Sequence, residues 1–178
     1  MILSLCGFMS CGKSGMGRYL AEELKTQVID LDNYIEEQEG CTISEYFAKS
    51  LEENFRQTEL TALKKILKEF QDKNLVLSLG GGTPVNPECN MLIKEKTFCV
   101  YMTCTIKELA FRLKDTASQR PVFAAKGETD TETWIKTMLT IREPAYLQCS
   151  KIQVDTTIWD KPAIAKKILS ASGWPKIS

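Results

Sequence analysis

Histidine is absent from the 178 residues of the chain, and arginine is scarce, with five copies beside eighteen lysines. Without imidazole, proton transfer at a catalytic site would depend on a carboxylate, Lys, Tyr, Cys or water. The scarcity of arginine matters because only its planar guanidinium binds carboxylate and phosphate groups bidentately. Each arginine is therefore a candidate for a specific binding role, and the five stand at positions 18, 56, 112, 120 and 142.

The chain also lacks an excess of either charge, a long apolar segment and paired cysteine motifs. Lys plus Arg and Asp plus Glu both number 23, which argues against binding to nucleic acid or to an anionic membrane. The apolar run over residues 1–9 is too short to span a bilayer, so it is interpreted as a buried strand. Seven cysteines without a C-x-x-C pair predict neither a zinc site nor a secreted disulfide framework, and they indicate a cytoplasmic protein.

Short apolar runs alternate with segments of helical periodicity along the chain. The apolar runs predict five strands, over residues 2–6, 28–30, 75–79, 98–102 and 152–154. Strands that alternate with helices form a mainly parallel sheet with helices on both faces, which makes this an α/β protein. No internal repeat or linker interrupts the pattern, so we expect a single domain over residues 1–178. We also expect the protein to be a monomer.

One connection is long for a compact domain. The stretch over residues 114–129 is polar and contains Gly127. We interpret it as a mobile lid that closes over a bound ligand. The alternative interpretation is an ordinary surface loop.

A phosphate-binding motif follows the first predicted strand. Residues Gly7–Ser14 fit G-x-x-x-x-G-K-[ST] and lie between a predicted strand and a predicted helix, the context that the motif requires. In this motif backbone N–H groups and the helix N-terminus surround the phosphates, so Lys13 is expected to reach the β- and γ-phosphates and Ser14 to bind Mg²⁺. The alternative is a glycine-rich turn with an idle lysine.

Two further groups follow predicted strands and point to the same site. Asp30 and Asp32 stand one residue apart after the second strand, where one carboxylate could serve the metal and the other an acceptor hydroxyl. The alternative is that Asp32 only caps the next helix. Three glycines, Gly80, Gly81 and Gly82, end the third strand, and we expect backbone to lie close against a ligand there rather than in a plain turn.

Taken together, these motifs resemble those of shikimate kinases. The phosphate loop, Asp30-Leu31-Asp32, Phe55-Arg56 followed by Glu59, the three glycines, Arg120-Pro121 and Arg142-Glu143-Pro144-Ala145-Tyr146 occur in the family's order and spacing. The resemblance implies a three-layer P-loop fold with a five-stranded parallel sheet in the order 2-3-1-4-5, a mobile lid, and a substrate-binding helical region near residues 32–62. It also implies ATP-dependent phosphorylation of the 3-hydroxyl of shikimate, a step of aromatic amino acid biosynthesis.

The resemblance further implies roles for individual residues at the acceptor end of the site. Asp32 would hold the acceptor hydroxyls and act as the base, or orient it. Arg56 and Arg142 would bind the substrate carboxylate, and the N–H groups of Gly80, Gly81 and Gly82 would contact its hydroxyls.

At the nucleotide end the resemblance implies that Arg112 lies near the adenine and that Arg120 swings over the transferring phosphoryl group. Mg²⁺ would be held by Ser14 directly and by Asp30 through water. The implied ATP contacts are Ser10, Cys11, Gly12, Lys13, Ser14, Gly15, Arg112 and Arg120.

The sequence departs from the family's pattern at two positions. Leu51 stands where relatives often have glycine, and Trp159 lies where they often place an arginine near the adenine. We expect Trp159 to be a partly buried core residue, although it could stack on the base instead.

Two rival functions are left open by the sequence. One is a kinase of another small acceptor, such as gluconate or a nucleoside monophosphate, and the other is a nucleotide-binding module without catalysis.

The phosphate loop generates a first prediction. The change Lys13→Met should lower kcat for phosphoryl transfer by orders of magnitude, because it removes the cation that offsets charge developing on the γ-phosphate. The measurement is steady-state release of ADP in the presence of shikimate. Near-normal turnover of the variant would show that the proposed mechanism is wrong.

Overall fold

The computed structural model describes residues 1–114 and 129–174. Its five strands are β1 (Ile2–Cys6), β2 (Gln27–Asp30), β3 (Leu75–Ser78), β4 (Phe98–Thr103) and β5 (Ile152–Asp155). Within the described residues the helices are α1 (Lys13–Glu23), α2 (Leu31–Glu39), α3 (Ile43–Lys49), α4 (Glu52–Glu69), α5 (Pro87–Lys96), α6 (Ile106–Lys114), α7 (Thr131–Cys149) and α8 (Lys161–Ser172). A short 3₁₀ helix, Thr83–Val85, follows the glycine triplet.

The strands form one parallel sheet in the order β2-β3-β1-β4-β5. This confirms the predicted fold class and strand order. Because every strand is parallel, all five carboxyl ends lie at the same edge of the sheet. The central strand β1 lies between β3 and β4, and the direction of the strand order reverses beside it. The loop after β1 therefore lies at the position where parallel α/β sheets bind ligands.

Two apolar clusters cover the two faces of the sheet. Successive side chains of a strand point to opposite faces, and in β1 Leu3 and Leu5 pack in the first cluster whereas Ile2 and Cys6 pack in the second. Helices α1, α6 and α8 contribute to the first cluster, and α2, α4 and α5 contribute to the second. Helix α7 supplies residues to both, which brings it alongside the loops at the carboxyl edge.

The helix ends near that edge show local reasons for their positions. Asp30 is the N-cap of α2, and its side chain accepts a hydrogen bond from the backbone N–H of Asp32. The alternative that Asp32 itself caps this helix is therefore wrong, because the helix begins one residue earlier, at Leu31. Thr42 and Glu45 form a reciprocal capping box at α3, and the Thr42 backbone N–H lowers the pKa of the Glu45 carboxyl below its ordinary value.

Two predictions about the organisation of the chain concern particular segments. Almost all of the predicted lid lies outside the described residues, so its role stays a prediction. The predicted substrate-binding region, residues 32–62, corresponds to α2, α3 and the first half of α4. Among the described residues, no helix combines the length and the apolarity needed to cross a membrane.

Candidate active site

A cleft of about 910 Å³ lies above the carboxyl edge of the sheet. It is lined both by the phosphate loop and by residues that follow β2 and β3. The described site residues predicted from the sequence converge there, and the lining includes Ser10, Gly12, Lys13, Ser14, Gly15, Asp30, Asp32, Arg56, Gly80, Gly81, Gly82, Arg112 and Arg142. Arg120 lies outside the described residues, and Cys11, within the loop, is fully buried and does not line the cleft.

The phosphate loop has the backbone conformation of an anion-binding turn. Gly7 and Gly12 have φ values of 140° and 103°, which residues other than glycine rarely adopt. Ser10 also has a positive φ, of 63°. A Cβ at Gly7 would lie 2.5 Å from the carbonyl oxygen of Met102. The side chain of Lys13 is buried and donates hydrogen bonds of 3.0 Å to the carbonyl oxygens of Gly7 and Phe8. The ammonium group therefore lies over the loop that would hold the phosphates.

Ser14 and Asp30 bring two oxygen ligands together beside this loop. The Ser14 hydroxyl donates a 2.5 Å hydrogen bond to Asp30 Oδ2, while Asp30 Oδ1 accepts from the Asp32 backbone N–H. A hydroxyl and a carboxylate are hard ligands of the kind that Mg²⁺ prefers when it also binds substrate phosphates. The donor set present here therefore fits Mg²⁺.

The glycine triplet lies in close contact with the acidic residues of the cleft. A Cβ at Gly80 would come within 2.6 Å of Asp32 Oδ1 and 2.8 Å of the Thr83 hydroxyl. The Gly80 backbone thus occupies space that no larger residue could share with Asp32. The close contacts seen here are with protein side chains, so the predicted contact between this backbone and a ligand stays a prediction.

Arg56 occupies the opposite side of the triplet. Its two terminal nitrogens donate to Glu59 at 2.9 Å and to Glu52 at 2.8 Å, and a Cβ at Gly82 would lie 2.7 Å from the guanidinium. Burial disfavours the charged form, but the carboxylates of Glu59 and Glu52 outweigh it and raise the pKa of Arg56 above its ordinary value. Arg56 therefore stays cationic while it faces the cleft.

Arg142 reaches the triplet from α7 and is buried, with 6% of its surface exposed. Its guanidinium lies 5.9 Å from the centroid of the Phe8 ring and would lie 3.7 Å from a Cβ at Gly81. One helical turn later, the Tyr146 hydroxyl donates a 2.5 Å hydrogen bond to the Gly81 carbonyl oxygen. Burial raises the pKa of Tyr146 well above its ordinary value, so the phenol remains a donor.

Sequence reasoning gave no separate role to Glu59, Thr83 or Tyr146. Glu59 is 1% exposed and accepts a 2.5 Å hydrogen bond from the Thr83 hydroxyl in addition to the bond from Arg56. The spacing carried a signal in two cases, because Glu59 follows Arg56 by three residues and Tyr146 follows Arg142 by four, which places each pair on one helix face.

The prediction that Trp159 belongs to the core is wrong. Its side chain is 37% exposed, and its ring covers the phosphate loop so closely that a Cβ at Gly12 would lie 2.4 Å from it. The Arg112 guanidinium lies 5.7 Å from the ring centroid and is anchored by Glu108 and by the carbonyl oxygens of Thr156 and Thr157. Position in the chain could have indicated this, because Trp159 follows β5 at the same sheet edge as the phosphate loop.

Comparison with known proteins gives one consistent result. The family profile described as shikimate kinase matches residues 9–172. A shikimate kinase of Enterococcus faecalis is 36% identical over 166 residues, which cover 93% of this chain and 94% of the relative.

Solved structures agree in fold over almost the whole chain. A shikimate kinase from Acinetobacter baumannii in complex with shikimate has a TM-score of 0.87 at 28% identity, covering 99% of this chain and 95% of the other. The enzyme from Aquifex aeolicus has a TM-score of 0.79 at 30% identity, covering 96% and 95% of the two chains. A gluconokinase from Sinorhizobium meliloti, at 15% identity and a TM-score of 0.57, shares the fold alone. Because the family profile matches residues 9–172 and the site geometry agrees with it, the chain belongs to the shikimate kinase family.

Proposed function

We propose that the chain transfers the γ-phosphoryl group of ATP to the 3-hydroxyl of shikimate, giving shikimate 3-phosphate and ADP in aromatic amino acid biosynthesis. The observation that carries this proposal is that Asp32, Arg56 and Arg142 line the same cleft as Lys13. A carboxylate, two guanidinium groups and a phosphate loop suit an acceptor that is both a polyol and an anion.

Two arginines provide the acceptor end with its charge. Arg56 and Arg142 would bind the shikimate carboxylate, and the N–H groups of Gly80, Gly81 and Gly82 would contact its hydroxyls. The Arg56 guanidinium is already oriented by the buried Glu59, so little side-chain freedom is lost when the carboxylate replaces the exposed contact with Glu52. We assign the helices over residues 32–62 to this acceptor-binding role.

Asp32 is the group we assign to the acceptor hydroxyl. Its carboxylate lies beside the Gly80 backbone, in the cleft that also contains Lys13. In the proposed step the hydroxyl oxygen forms a bond to the γ-phosphorus, the bond from that phosphorus to the ADP oxygen breaks, and the hydroxyl proton passes to Asp32. A carboxylate is the natural acceptor for this proton in a chain without histidine.

The nucleotide end is assigned to the phosphate loop and its neighbours. Residues 10–15 would surround the phosphates with N–H groups, and the Lys13 ammonium would exchange its two carbonyl partners for phosphate oxygens. Mg²⁺ would be held by Ser14 and, through water, by Asp30, and it would neutralise charge on the phosphate oxygens. Arg120 is proposed from sequence position alone as the cation over the transferring group.

Arg112 and Trp159 are proposed to hold the adenine. Trp159 presents an exposed aromatic face at the edge of the phosphate loop, and Arg112 is fixed beside it by three hydrogen bonds. Aromatic rings and guanidinium planes both stack on nucleobases.

We also propose that the chain acts as a cytoplasmic monomer, with ATP and shikimate as its partners and neither nucleic acid nor a membrane. The balanced charge, with Lys plus Arg and Asp plus Glu both 23, supports the lack of nucleic-acid and membrane partners, and seven cysteines without a C-x-x-C pair support a reducing cytoplasm. The absence of any global electrostatic field leaves binding to the local cleft.

The reaction can be tested by following ADP release with shikimate, gluconate, AMP or no acceptor. We expect shikimate to give the largest stimulation over the acceptor-free rate. Greater stimulation by gluconate or AMP would identify a different acceptor, and no stimulation by any of the three would favour a nucleotide-binding module.

Two glycine substitutions should disturb different side chains at the acceptor end of the cleft. Neither Gly80 nor Gly82 has a positive φ, so each tolerates a side chain in backbone terms. Gly80→Ala crowds the Asp32 carboxylate most closely and should lower kcat by about 100-fold; because the new Cβ also lies 3.0 Å from Glu59 Oε1, KM for shikimate should rise as well. Gly82→Ala displaces the Arg56 guanidinium and should raise KM for shikimate by about tenfold, with a smaller change in kcat.

Steady-state kinetics with each substrate varied in turn measure both effects. The KM for ATP serves as the internal control, because neither substitution touches the nucleotide end. A parallel loss of ATP affinity in both variants would indicate a general disturbance of the cleft and contradict the assignment.

The role of Trp159 is tested against its neighbour in the chain. Trp159→Ala should raise KM for ATP by about tenfold, the value of one base-stacking contact, and leave KM for shikimate unchanged. Ile158→Ala is the matched control, because Ile158 is 82% exposed on the same loop. An unchanged KM for ATP in the Trp159 variant would show that the ring does not hold the base.

A further inference from the structure

Three cysteines from separate elements meet inside the second apolar cluster. Cys6 is the last residue of β1, Cys99 lies in β4 and Cys149 is the last residue of α7. Each side chain is fully buried, and the three Sγ atoms all lie within 4.8 Å of one another. We call Cys6, Cys99 and Cys149 the thiol triad.

The spacing of the sulfur atoms matches a three-coordinate metal centre. The Cys99 and Cys149 Sγ atoms are 4.0 Å apart. With metal–sulfur bonds of about 2.3 Å, a planar three-sulfur centre has sulfur atoms about 4.0 Å apart. The widest Sγ–Sγ distance is within 4.8 Å, so it exceeds the ideal spacing by less than about 1 Å. An ion could therefore bind with sulfur movements of less than about 1 Å.

The chemistry of the surroundings restricts which ion would fit. In residues 1–114 and 129–174, no fourth cysteine or acidic side chain joins the triad, and the whole chain lacks histidine. Protein-bound zinc almost always has four ligands, whereas soft thiolates alone suit copper(I). The nearby Ser4 hydroxyl is held in a 2.6 Å hydrogen bond with Thr97.

We propose that the thiol triad of Cys6, Cys99 and Cys149 is a three-coordinate binding site for a monovalent thiophilic cation, copper(I), beneath the phosphate loop. The triad is linked along the chain to two parts of the cleft. Cys6 immediately precedes Gly7, and Cys149 ends the helix that carries Arg142 and Tyr146. A bound ion would cross-link β1, β4 and α7, and this inference does not depend on which acceptor is phosphorylated.

Binding is tested by anaerobic titration of the reduced protein with copper(I), in competition with a chromophoric copper(I) chelator. The starting variant carries Cys41→Ser and Cys104→Ser, which remove the two partly exposed thiols. We expect one ion per chain, retained against a millimolar monothiol competitor. Loss of the ion to that competitor, or binding of no ion, would overturn the proposal.

Substitutions in the same background assign the ligands. Cys149→Ala and, independently, Cys99→Ala should each abolish the tight site. Cys89→Ala is the matched control, because Cys89 is equally buried in the same cluster but lies outside the triad. Circular dichroism verifies that each variant is folded. Retention of the ion in a folded triad variant, or its loss in the Cys89 variant, would overturn the assignment.

Two further measurements examine the geometry. X-ray absorption of the copper(I) protein should show three sulfur ligands at about 2.3 Å, and a two-sulfur centre would contradict the three-coordinate site. Because the ion binds only the folded arrangement, it should raise Tm by about 5 °C or more at free copper(I) near 100-fold above its Kd. An unchanged Tm would contradict binding to the native triad.

Discussion

The burial of one carboxylate determines much of the acceptor side of the cleft. Glu59 is 1% exposed, and a charge in such a position must have close partners. It has two, the Arg56 guanidinium at 2.9 Å and the Thr83 hydroxyl at 2.5 Å. Since Thr83 follows the glycine triplet directly, the same carboxylate holds α4 against the turn after β3. Loss of one partner from a buried pair generally costs about 3–5 kcal/mol, which keeps this arrangement intact.

The opposite side of the triplet is fixed by a different helix. Tyr146 donates to the Gly81 carbonyl oxygen, and Arg142 lies one turn earlier on α7. The turn after β3 is therefore held from α4 through Glu59 and Thr83, and from α7 through Tyr146. Gly80 and Gly82 allow the Asp32 carboxylate and the Arg56 guanidinium to approach the backbone, because a Cβ at either position would overlap them.

Most of the fold was predictable because its signals are local. A continuous apolar strand followed by glycine, as at β1 and β3, encodes both the buried strand and its end, and the strand order followed from the family resemblance. The residues that line the cleft were predictable where a motif names them. The position of Trp159 was not, because aromatic character alone does not distinguish a core residue from one covering a loop contributed by a distant segment. The cap at Asp30 was missed because the two candidates, Asp30 and Asp32, are the same residue type and differ only in the backbone conformation that each adopts.

The two carboxylates that bind Arg56 differ in a way that bears on acceptor binding. Glu59 is almost completely buried, whereas the Glu52 side chain is 66% exposed. Exposed ion pairs contribute about 0–1 kcal/mol, so the contact with Glu52 is readily exchanged, while the contact with Glu59 is not. One arm of the guanidinium is thus fixed and the other is available to an incoming carboxylate. In the proposed reaction, Glu59 orients Arg56, and the nitrogen that now donates to Glu52 would bind the acceptor carboxylate.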